Sequence, residues 1–100
     1  MNPFAGEVAL VIDGQRHVAK LTLGALAELE DVLQADSLIA LIQRFEEGRF
    51  TTRDVLAVVV AGLRGGGWSG HASDLMTAEI APAEAARSAA LLLARAFALP

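Results

Sequence analysis

One hundred residues without a cysteine define a single-domain chain that folds without disulfides, and exclude thiol nucleophiles and Cys-ligated zinc. The formal charge of −4 and the scatter of the eight basic residues exclude the clustered basic surface that phosphate binding needs, so no nucleic-acid partner is expected. Hydrophobic residues make up 54% of the chain but aromatics only 5%, a composition of closely packed helices with short side chains.

Met1 to Gly6 carries no Lys or Arg, and the apolar run behind it is too short for a signal-peptide core. The most hydrophobic window, Val55 to Leu63, falls well short of the ~20 residues that span a bilayer. A soluble, cytoplasmic protein without a membrane partner is expected.

After a lead-in broken by Pro3 and Gly6, Glu7 to Ile12 alternates Val8, Leu10 and Ile12 with Glu7, Ala9 and Val11, the two-residue period of a strand. Asp13-Gly14 supplies the positive-φ residues of a primed hairpin turn. Arg16 to Leu21 is the return strand, with His17, Ala19 and Leu21 on one face. A lone hairpin is marginal in water, so this one packs on helices or pairs through its edge with a second copy.

At Leu21 to Leu33 the period changes from two to helical. Leu26, Leu29 and Leu33 form a stripe, Glu28, Glu30 and Asp31 lie off it, and Thr22 can cap the start. Gln34 to Ser37 is a polar break in which Asp36 or Ser37 caps a second helix. Leu38, Leu41, Ile42 and Phe45 mark its buried face, and Gly48 its left-handed end. Thr51 and Asp54 have the spacing of a capping box opening a third helix through Leu63. Apolar residues cover nearly its whole circumference. Such a helix is either central to a bundle or half of an interface, and the central position is expected.

Gly65-Gly66-Gly67 stops that helix, and Trp68 to His71 continues as a loop. Ser73 to Ile80 has room for one short helical turn. Pro82 suits the first position of a last helix running to about Ala98, with Glu84 near its start and Arg95 near its end. The expected architecture is α+β, one N-terminal β-hairpin packed on a bundle of about four helices in a single domain over residues 1–100.

His17 and His71 lack the spacing of a helical zinc pair and read as solvated or edge histidines. Ser69, His71 and Asp74 contain hydrolase residue types, but no nucleophile-elbow pattern surrounds Ser69. Gly65, Gly67 and Gly70 match the dinucleotide fingerprint in spacing, yet follow a helix instead of a strand and have no βαβ unit. The carboxylates at Glu28, Glu30 and Asp31 and at Glu46 and Glu47 read as solvated helix faces. No catalytic residue, cofactor or metal site is assigned. The third helix at Val58, Val59 and Leu63 is the tentative partner surface, provided that it is not fully buried. Trp68 joins it as an anchor unless the ring folds back on that helix's last turn.

The block Leu21-Thr-Leu-Gly-Ala-Leu-Ala-Glu-Leu-Glu30, preceded by Gly6-Glu7 and Asp13-Gly14 and followed by Ala61-Gly-Leu-Arg-Gly-Gly-Gly67, resembles the small tail proteins of gene transfer agents, phage-like particles that package host DNA. Such proteins are grouped with phage tail assembly chaperones, and the label tail tube protein is also attached to the family. The resemblance implies a non-enzymatic role in building the tail. Its partners would be the tape-measure protein, which a chaperone coats until the tube replaces it, and the tail tube protein. A tube lined by continuous β-sheet needs several long strands, whereas this sequence offers two short ones, which favours the chaperone. The alternatives are a structural subunit retained in the particle and a small-ligand-binding or enzymatic domain using the Gly65 to His71 loop.

Overall fold

The computed structural model describes residues 2, 5–34 and 37–98. Two strands, β1 (Val8–Ile12) and β2 (Gln15–Ala19), form an antiparallel hairpin, followed by α1 (Leu23–Leu33), α2 (Leu38–Glu46), α3 (Thr52–Gly65), α4 (Ala72–Met76) and α5 (Pro82–Ala96). The fold is α+β, as the change of period at Leu21 requires.

The hairpin turns through two residues with positive φ, Asp13 at 51° and Gly14 at 76°, the geometry whose twist matches that of paired strands. Val8, Leu10 and Ile12 are buried on the inner face, and Val11 is exposed on the outer one. The return strand is shorter than its alternation suggests. At Lys20 the backbone N–H leaves the ladder and donates to the Gly62 carbonyl at 2.8 Å.

Each expected cap forms where it can be seen. Thr22 Oγ1 accepts from Ala25 N–H at 3.1 Å, and Ser37 Oγ from Ala40 N–H at 3.0 Å; the alternative cap, Asp36, lies outside the described residues. Thr51 and Asp54 exchange both bonds of a capping box, at 3.1 and 2.9 Å. Pro82 opens α5, whose final backbone bond runs from Phe97 N–H to the Leu93 carbonyl at 3.1 Å, so the helix ends two residues before Ala98.

The third helix is the centre of the molecule, touching the hairpin, α1, α4 and α5. Val58, Val59, Ala61 and Leu63 are buried, alongside Leu29 of α1, Leu41 of α2 and Leu92 of α5. The glycines at its end do more than stop a helix. A Cβ on Gly65 would lie 2.0 Å from the Lys20 carbonyl oxygen, and one on Gly66 2.1 Å from that of Val18. The absence of a side chain at Gly65 and Gly66 lets the end of this helix seat directly on the backbone leaving and forming β2.

Two polar ties fix the bundle's ends. Arg44 of α2 grips the Asp54 carboxylate with two nitrogens, at 2.9 and 3.0 Å, joining α2 to the capped start of α3. Stacked rings of Phe45 and Phe50, 4.7 Å apart, cover the same corner. Across the molecule, Asp13 exchanges two bonds with the Glu79 backbone, and Arg95 Nη1 donates to the Glu7 carbonyl at 2.5 Å.

Those ties bear on the hairpin's edges. The β2 edge lies under Gly65 and Gly66, while the β1 edge is occupied at Asp13 and at Glu7. Only Ala9 and Val11 remain between the two occupied points, too short a stretch to hold a strand of a second copy.

Candidate functional site

The surface of α3 that faces away from the hairpin carries what the fold leaves unfilled. Helical spacing brings Arg53, Leu56, Ala57, Val60 and Arg64 to this side, where the three apolar side chains are half-buried. Two open grooves flank it. One, of about 550 Å³, lies between α3, α4 and the start of α5, with Phe50, Val55, Leu56, Leu75, Met76 and Ala85 among its walls. The other, of about 330 Å³, runs between α1 and α3 and meets Ala72 at the start of α4; its apolar walls include Leu29, Val32, Ala57 and Val60. Leu56 belongs to both and forms the ridge between them.

Large apolar side chains stand exposed beside both grooves. Met76 is 74% exposed at the rim of the larger, and Val32 65% exposed at the rim of the smaller. Methionine is unbranched and polarizable, so a wall containing it can adapt to differently shaped apolar surfaces.

Of the partner surface assigned to Val58, Val59 and Leu63, all three are at most 2% exposed and belong to the core, and Val59 also lines the larger groove. The physical reason is that α3 is the central helix, so its largest apolar side chains are consumed by the hairpin, α1 and α5. Leu56 and Val60, about one turn apart on the outward side, are half-buried and line a groove. Periodicity could not distinguish these sides on a helix apolar all round.

Trp68 takes the folded-back alternative. Its backbone N–H donates to the Leu63 carbonyl at 2.9 Å, its half-buried indole packs on the core, and the ring lies so close over Gly70 that a Cβ there would be 2.1 Å from it. Arg64 Nη1 holds the Gly70 carbonyl at 2.9 Å while its Nε pairs with Glu28 at 2.8 Å. The glycine-rich loop is thereby tied to α3 and α1.

The residue types of a hydrolase are not brought together in a hydrolase arrangement. The Asp74 carboxylate accepts from the backbone N–H of His71 at 2.8 Å, as a helix-start bond, and Ser69, His71 and Asp74 are not enclosed. His17 sits half-buried on the hairpin opposite Leu10. Among the described residues no group of three His, Asp or Glu side chains could hold a metal ion, and no helix is long and apolar enough to cross a membrane.

Among the described residues one carboxyl is shifted, and it is structural. Burial pushes the Asp54 carboxyl up, but the Arg44 hydrogen bonds, the Thr51 backbone N–H, the Arg44 charge and the Thr51 side chain together outweigh it, holding Asp54 below the ordinary carboxylate range. The Arg44 partner was not legible, because a ten-residue separation across a loop has no periodic signature.

The molecule is a small α+β protein whose central helix is packed on one side and flanked by apolar grooves on the other. The family model for phage tail tube protein, GTA-gp10, matches residues 5–99. The chain belongs to that family of gene transfer agent and phage tail proteins, a structural family and not an enzyme family, and its role is in the tail. No curated protein and no solved structure gives a significant match.

Proposed function

We propose that this protein is a non-enzymatic tail assembly chaperone, binding an apolar helical segment of the tape-measure protein during tail assembly. The observation that carries the reading is the pair of grooves along α3, apolar over most of their walls and separated by the single side chain of Leu56. Burial of a partner's apolar stripe there supplies affinity through the hydrophobic effect, and open grooves permit release. The strands support the same choice against a tube subunit. Each has five residues, about 17 Å at strand rise, and they form the one two-stranded sheet among the described residues. A subunit that lines a ring with continuous sheet needs more.

Co-expression with the tape-measure protein tests the proposal. The chaperone keeps that protein in the soluble fraction and co-purifies with it. A tape-measure protein that stays insoluble, or remains equally soluble without this chain, contradicts the reading.

A further inference from the structure

The smaller groove differs from the larger in having charge at both ends of an apolar floor. Arg53 in the first turn of α3 and Arg64 in its last turn both line it, eleven residues apart, so it follows the helix for about 16 Å at helical rise. At the Arg64 end the charge is spent: its guanidinium pairs with Glu28 at 2.8 Å and also holds the Gly70 carbonyl. At the other end Arg53 is exposed and its guanidinium makes no hydrogen bond or ion pair with any described residue. Between them Val32, Leu56, Ala57 and Val60 present apolar walls. The groove is therefore a trough of about three helical turns, neutral at its Arg64 end and cationic at its Arg53 end.

From this we infer that the α1–α3 groove is the docking site for an amphipathic helix of about three turns, oriented by a carboxylate side chain that pairs with Arg53. The inference rests on the chaperone reading and names the groove and the partner's charge pattern. A helix fits because the trough is lined by Arg53, Leu56, Ala57, Val60, Ala61 and Arg64 of α3, whose three- and four-residue spacing offers side-chain ridges for another helix to mesh with. An acidic residue fits because an uncommitted guanidinium beside an apolar surface gains a bidentate partner on closure, and such a pair fixes orientation as well as affinity. The larger groove has apolar walls but no charged side chain lining it, so it can add area without setting direction.

The test uses overlapping synthetic peptides covering the tape-measure protein, labelled and titrated with the full chain by fluorescence anisotropy. Arg53→Glu and Val60→Lys alter the trough, and Met76→Lys alters the rim of the larger groove; circular dichroism establishes that each variant is folded. Binding of a peptide with an acidic residue beside its apolar stripe, weakened roughly tenfold or more by either trough variant and little by Met76→Lys, is the expected result. Replacing that peptide's acid with lysine restores affinity for Arg53→Glu. Wild-type binding that only Met76→Lys disrupts overturns the inference while leaving the chaperone reading in place. So does a light-scattering profile showing a dimer that Val60→Lys dissociates, since the trough is then filled by a second copy. Absence of binding by every peptide, with a tape-measure protein that co-expression leaves insoluble, removes both.

Discussion

The two sides of α3 are built from the same residue types and meet opposite fates. Towards the hairpin and α5, Val58, Val59 and Leu63 are sealed, and Gly62, Gly65 and Gly66 bring backbone against β2 and the Leu92 side chain. Away from it, Leu56, Ala57 and Val60 remain half-buried beside open grooves. Apolar character alone therefore does not mark an interaction surface in this chain. What separates fold from surface is whether a neighbouring element arrives to cover the side chain, and here the short α4, with one buried residue, covers little.

Substitutions on the sealed side should be the most damaging. Leu63→Ala removes a fully buried side chain and is expected to cost about 2–5 kcal/mol, read by urea unfolding. Gly65→Ala drives a methyl group into the Lys20 carbonyl and should cost about 3 kcal/mol or prevent folding. Tolerance of Gly65→Ala would show that the helix end can move off β2, and would break the contrast between the two sides.

The next largest effect belongs to the polar corner. Asp54→Ala removes the capping box and the two hydrogen bonds that Arg44 makes to this carboxylate, at a cost of about 2 kcal/mol. Because the folded pKa of Asp54 is lowered, its stabilisation is complete above the unfolded carboxylate pKa and is lost as pH falls through the lower folded value. The stability gap between wild type and Asp54→Ala should thus narrow as pH is taken below about 4. A gap that widens in acid would contradict the assignment.

Smaller still are changes on the open side and at one polar atom in the core. Val60→Lys should alter stability by about 1 kcal/mol or less, since a long side chain can carry its charge out of the groove. A loss as large as that of Leu63→Ala would mean that the open side is part of the core. Ser88 is 1% exposed, and its hydroxyl finds no partner among the described residues. Ser88→Ala should be neutral or raise stability by up to about 1 kcal/mol in the same unfolding assay.

Much of this fold was legible because local signals were strong. Asp13-Gly14 specified the turn, Thr22, Ser37 and Thr51 with Asp54 marked helix starts, and Pro82 opened the last helix. The glycine run was legible as a helix end but not as a close-packing surface, because the obstructing carbonyls of Val18 and Lys20 lie more than forty residues away in the chain. The candidate site was barely legible. Val58 and Val60 look alike in sequence, and only the positions of the hairpin, α1 and α5 decide that the first is core and the second borders a groove. Trp68 posed the same question, answered by its contacts with Leu63 and Gly70.

Whether the open side serves assembly or a permanent place in the particle is decided by what remains when assembly ends. Quantitative mass spectrometry of purified finished particles, set against the cell lysate that produced them, measures this directly. The account predicts abundant protein in the lysate and only trace amounts, well below one copy per tail, in the particles. Stoichiometric copies in finished tails would contradict it and establish a structural subunit.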